Sequence, residues 1–92
     1  MKGSLPDIIP PLSVVQVVRI EDEPNWNGYL GRIFRIGYYN PQDGLDCVWL
    51  VDDKGEYRET MDQEMIKTHF KVLELSNETD LFGVERPVIG PR

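Results

Sequence analysis

Trp26–Ile36, WNGYLGRIFRI, is the stretch whose reading decides the fold. Asn27-Gly28 is a turn signal, and Gly31 is a second position open to backbone conformations that other residues avoid. Leu30, Ile33 and Ile36 follow at intervals of three, a spacing that would also suit a helix. Two glycines, several β-branched or aromatic residues and no capping residue point instead to a loop entering a strand. A β-bulge in that strand shifts its inward-facing phase by one residue. Such a bulge lets a small sheet turn a corner and close.

Working outward, Ser13–Ile20 (SVVQVVRI) reads as a first strand, with Val15 and Val17 on one face and Gln16 and Val18 on the other. Glu21–Asn27 is a polar loop, and the second strand runs from Gly31 to about Tyr39. NPQDG at 40–44 is turn chemistry. Leu45–Asp52 (LDCVWLVD) is a third strand, and DDKG at 52–55 closes a hairpin with Gly55 at positive φ and Glu56–Thr60 returning as the fourth. Thr60 and Gln63 have the capping-box spacing, so a turn or two of helix is expected from Met61 to about Lys67. Phe70–Leu75 (FKVLEL) alternates as a fifth strand, with Phe70, Val72 and Glu74 opposed to Lys71, Leu73 and Leu75.

Two arms flank this block. Residues 1–12 hold Pro6, Pro10 and Pro11, which favour extended backbone, with Ile8, Ile9 and Leu12 between them. The arm is either a loose terminus or a segment whose isoleucines plug a groove. Residues 76–92 form an irregular tail, yet Leu81, Phe82, Val84, Val88 and Ile89 are too apolar for a purely solvated one. It wraps back on the body or docks on a partner.

A chain of 92 residues sustains one small core, here placed in residues 13–75. The single cysteine, Cys47, excludes an internal disulfide and suits a reducing compartment. No run approaches eighteen apolar residues, so membrane insertion is not expected and a cytoplasmic protein is. Sixteen acids against ten bases give a net charge of −6, and residues 13–75 carry twelve acids and seven bases, −5. Such a surface repels phosphate backbones unless its bases gather on one side, which makes nucleic acid an unlikely partner.

Five short strands, a bulged second strand after a Gly-containing loop and a helical turn before the last strand describe an all-β, five-stranded SH3-like barrel with extended arms. Within it, GYLGRIFRI at 28–36 is similar to the KOW motif of transcription factors and ribosomal proteins at Gly28, Gly31, Ile33 and Ile36. A longer stretch resembles the SH3-like electron-transport accessory proteins. This group contains photosystem I reaction-centre subunit IV and the variable chain of ferredoxin:thioredoxin reductase. The similar residues are Ser13, Val15, Val17, Arg19, Glu21, Trp26, Gly31, Ile33 and Ile36, then VWLVDDKGEY at 48–57 and HFKVLEL at 69–75. They span about two-thirds of the chain, residues 13–75. The resemblance implies a noncatalytic subunit that docks on a larger assembly. An acidic ferredoxin would be repelled by a barrel of −5 unless Arg19, Arg32, Arg35 and Arg58 align, so a partner peculiar to this chain is expected.

The residues offer little to catalysis. His69, the sole histidine, lacks a cysteine or serine at catalytic spacing and reads as a surface or half-buried hydrogen-bonder. Cys47 lies inside a strand and reads as a small buried hydrophobe. The acidic loops do not follow a calcium-binding register, and Gly28 and Gly31 lack the Lys-Ser/Thr ending of a phosphate loop. No cofactor, metal or enzymatic activity is expected.

What remains is a binding surface. Trp26, Tyr29, Tyr38 and Tyr39 lie in or beside the loops at the ends of the second strand, either as contact residues or as core that closes the barrel ends. Arg32 and Arg35 would supply charge-assisted bonds at the rim. If Val48 and Leu50 face inward, Cys47, Trp49 and Val51 face outward, and with Tyr57 the last two would form an exposed apolar cluster; the opposite phase makes them core. The expected function is therefore a protein-binding accessory or regulatory module that contacts its partner through Trp26, Tyr29, Tyr38 and Trp49, with Arg32 and Arg35. The alternatives are a KOW-like module touching RNA through Arg19, Arg32, Arg35 and Lys54, and an acidic inhibitor capping a basic partner.

Overall fold

Val15 and Val17 lie on one face of β1 (Val14–Val17), and both are buried while Val14 and Gln16 are only half covered. In the computed structural model, which describes residues 5–20 and 28–83, this strand sits between β2 (Ile33–Ile36) and β5 (Phe70–Glu74). β3 (Cys47–Asp52) and β4 (Gly55–Thr60) extend the sheet beyond β2, giving the antiparallel order β4-β3-β2-β1-β5. The described residues are mostly β, with five antiparallel strands in one sheet and one short helix, α1 (Gln63–His69).

One face of the sheet carries the core. Val15 and Val17, Phe34 and Ile36, Val48 and Leu50, and Phe70 are all buried there, with Met61 and Ile66 packing down from the segment between β4 and β5. Alternation along each strand produces this directly, because residues two apart share a face.

Two local expectations are corrected. The second strand carries its bulge at its entry, where the Gly31 amide donates to the Val17 carbonyl and the Val17 amide to the Arg32 carbonyl, so that two residues face one. The spacing of three through Leu30 and Ile33, however, is not the inward set. β2 alternates simply, exposed then buried, so Phe34 and Ile36 face inward while Ile33 is 51% exposed and Leu30 lies exposed in the turn before it. Gly31, at φ +88°, is both the bulge residue and part of the Tyr29–Arg32 turn, in which the Arg32 amide donates to the Tyr29 carbonyl at 2.9 Å. A further register shift is found between Val14 and Val15 where β1 meets β5. The helix, too, is capped by Asp62 and not by Thr60. The Asp62 carboxylate accepts from the Met65 amide at 2.9 Å, and α1 runs on to His69. Gln63 is engaged elsewhere.

That engagement settles the fate of the proline-rich arm. Ile9 is fully buried in the core, its amide donates to Gln63 Oε1 at 2.8 Å, and its carbonyl accepts from the Tyr39 hydroxyl at 2.7 Å. Gln63 Nε2 donates to the same hydroxyl at 3.0 Å, completing a ring of three bonds. Of the two fates open to the arm, Ile9 takes the plugging one. Pro10–Ser13 then forms a turn with Leu12 at φ +75°, and the Leu12 amide donates to the Ile36 carbonyl at 2.7 Å. The tail also returns: Tyr39 and Phe82 form a parallel bridge, and Leu81 packs against the core. Val84, Val88 and Ile89 lie outside the described residues.

Candidate functional site

Arg32 immediately precedes β2 and shares a face with Phe34 two residues on, while Tyr57 of β4 stands opposite Leu50 on the inner face. Tyr29 comes from the turn before Arg32. The three rings cluster with centroids 5.8–5.9 Å apart, Tyr57 edge-to-face with both Tyr29 and Phe34, and Tyr29 tilted against Phe34. The Arg32 guanidinium lies over all three, its Cζ 4.9 Å from the Tyr29 centroid, 4.8 Å from Phe34 and 5.4 Å from Tyr57. Asp52, at the end of β3, closes the box with an ion pair to Arg32 Nη2, and the Tyr57 hydroxyl lies 3.5 Å from the same nitrogen.

Asp52 does two jobs at once. Its Oδ1 accepts from the amides of Lys54 and Gly55 at 2.8 and 3.1 Å, fixing the hairpin, while Oδ2 meets Arg32. Burial alone pushes this carboxyl up; the Lys54 amide, Arg32 and the Gly55 amide outweigh it and hold the group below its ordinary value. A depressed carboxyl stabilises the fold above its unfolded pKa, about 4, and that stabilisation is lost as pH falls through the folded value. Asp52→Asn should therefore flatten part of the acid limb of a stability-versus-pH curve. Thermal midpoints of the two proteins from pH 7 to pH 2 check it: the wild type falls more steeply below about pH 4.

The box is a cation site that the chain fills itself. Arg32 is thus committed within the molecule, on the inner side of the sheet, whereas Arg35 is exposed on the outer face and donates through Nη1 to the Leu12 carbonyl at 3.0 Å. The two guanidiniums do not share a face. Tyr29 is half-buried and packs on the core. Tyr38 is half-buried and donates its hydroxyl to Glu78, and Tyr39 is wholly core. Trp26 lies outside the described residues.

Strand β3 takes the phase with Val48 and Leu50 inward, but the exposed Trp49, Val51 and Tyr57 cluster does not form. Cys47 and Val51 are buried although they lie on the outer face, Trp49 is half-buried there, and Tyr57 faces inward with Leu50. The Gly37 amide donates to the Trp49 carbonyl at 2.8 Å, so β2 presents no side chain opposite the indole. Exposed apolar surface lies elsewhere on that outer face. Ile33 of β2, Val18 just past β1 (47% exposed) and Leu73 of β5 share it, with Leu30 (57%) in the adjoining turn. Of the three apolar residues at intervals of three, Ile36 alone is buried, and Leu30 and Ile33 belong to this surface.

His69 is buried more fully than expected and remains a hydrogen-bonder: a carbonyl only accepts, so Nδ1 carries the proton it donates to the Arg19 carbonyl at 2.8 Å. Cys47 is a buried free thiol. Among the described residues no group of three or more His, Cys, Asp or Glu side chains is placed to hold a metal ion, and no helix is long and apolar enough to cross a membrane. The chain matches no protein-family model, no curated protein and no solved structure.

Proposed function

We propose that this chain is a noncatalytic protein-binding module built on an SH3-like barrel, a cytoplasmic accessory or regulatory subunit that docks on a larger protein. The meander with β5 returning beside β1, and the short helix that precedes β5, support the barrel reading. The observation that carries the function is the outer face of β2, β1 and β5, where Ile33, Val18 and Leu73 stand exposed with Leu30 beside them. Apolar residues exposed on one sheet face, here interspersed with Gln16 and Lys71 and next to Arg35, make a mixed surface of the kind partners use. Tyr29 and Arg32 act as internal supports of that face, and the separation of Arg32 from Arg35 speaks for a protein partner over RNA.

Ile33→Glu tests this. Placed on an exposed position, the charge should change the thermal midpoint by no more than about 4 °C, because surface substitutions stay near 0.5 kcal/mol. Capture of a partner from the native cell by the tagged wild-type chain should be lost by the variant. Retained capture by Ile33→Glu, or none by the wild type, would remove the reading.

A further inference from the structure

β4 ends the sheet. It has β3 on one side, and the Met61 amide continues that ladder by donating to the Asp46 carbonyl at 2.9 Å. Counting back in twos, Glu59 with Val48, Tyr57 with Leu50 and Gly55 with Asp52 are the hydrogen-bonded pairs. Glu56, Arg58 and Thr60 therefore direct their N–H and C=O groups away from β3, to the outer edge. Among the described residues no backbone partner meets them. An edge of this kind is a template for another strand.

The charge says which strand. Between Asp43 and Glu64 lie eight acids and two bases, −6, while the rest of the chain holds eight of each. The hairpin, its edge and the start of α1 thus carry the whole net charge. Of the two bases, Arg58 is already paired with Asp43 at 3.0 Å. Two copies meeting edge to edge would set −6 against −6. A second copy is disfavoured and a basic strand is favoured.

We propose that the β4 edge takes up an extended, basic segment of a partner protein as a sixth strand. This inference rests on the reading of the chain as a protein-binding module and names the partner's chemistry. Main-chain bonds to Glu56, Arg58 and Thr60 hold the segment, and alternate Lys or Arg side chains lie beside the acidic ones.

The probe is a blocked hexapeptide, Lys-Val-Lys-Val-Lys-Val, titrated at low salt into the full chain followed by amide NMR. The amides of Glu56, Arg58 and Thr60 should shift and exchange more slowly, the affinity should fall as salt rises, and the peptide with Glu for Lys should not bind. Arg58→Pro removes an edge donor that β3 does not use, so the fold persists and the affinity drops at least about tenfold, whereas Arg58→Ala stays within about twofold. If Arg58→Pro does not fold, a peptide N-methylated at alternate residues makes the same test on the wild-type chain and should fail to bind. Undiminished binding of that peptide or of folded Arg58→Pro overturns the proposal, as do binding of the Glu peptide and shifts centred on Ile33. Ile33→Glu should keep the peptide; if it does, yet still captures its cellular partner, the outer-face reading fails while the β4 edge stands.

Discussion

Phe34→Ala should lower the unfolding free energy by about 3–5 kcal/mol, while Ile33→Ala, one residue away, should change it by less than about 1 kcal/mol. Phe34 is 1% exposed and Ile33 51%, so truncation opens a cavity at the first position and only trims a surface at the second. The Phe34 ring also packs edge-to-face with Tyr57 and tilted against Tyr29, and lies under the Arg32 guanidinium, so its loss removes the floor of the aromatic box. A domain of this length has roughly 5–14 kcal/mol in hand, which leaves Phe34→Ala near the threshold of folding. Urea denaturation decides it: the midpoint should fall sharply for Phe34→Ala with the slope unchanged, and barely move for Ile33→Ala. Equal losses, or a larger one at Ile33, would mean that Phe34 does not face the core.

That pair of positions also marks where the sequence stops being legible. Alternation in VVQV and turn chemistry in DDKG are local, and both strands and hairpin follow from them to within a few residues. In IFRI the alternation of Phe34 and Ile36 competes with the spacing of three from Leu30 through Ile33 to Ile36, and the choice falls to register against Val15 and Leu50 far along the chain. The capping-box reading failed for the same kind of reason. Gln63 stands at the right spacing from Thr60, but its amide group meets Ile9, 54 residues earlier in the chain, and Asp62 is left to cap α1.

The candidate site was half visible. Its arginine and one tyrosine, Arg32 and Tyr29, stand out beside the glycine turn, but Asp52 reads as hairpin chemistry and Tyr57 as a neighbour of Trp49 and Val51, and nothing local joins either to Arg32. Only the β2–β3–β4 register brings the four together. The arms follow the same logic. Strands of four to six residues enclose little volume, and a sheet this small gains by drawing Ile9 and Leu81 into or against its core from outside the strands.

Tyr39 is where both arms meet, and Tyr39→Phe should cost about 2–3 kcal/mol although every carbon of the side chain is kept. Its hydroxyl donates to the Ile9 carbonyl and accepts from Gln63 Nε2, and its backbone amide and carbonyl bond to Leu81 and Gly83. Removing the oxygen leaves two polar groups without that partner beside a fully buried ring, which costs more than the net worth of one hydrogen bond. The Ile9 amide, which donates to Gln63, should then exchange faster with solvent, because the arm has lost one of its ties. A second signature lies at high pH. Burial pushes the phenol up, against a smaller opposing effect of the Gln63 bond. A group with a raised pKa stabilises the fold fully below its unfolded value, about 10, and that stabilisation is lost as pH rises from there through the folded value. The wild type should lose stability above about pH 10 by an increment that Tyr39→Phe does not show. A Tyr39→Phe protein with an unchanged urea midpoint and an unchanged Ile9 exchange rate would mean that the arm is held by apolar contact alone.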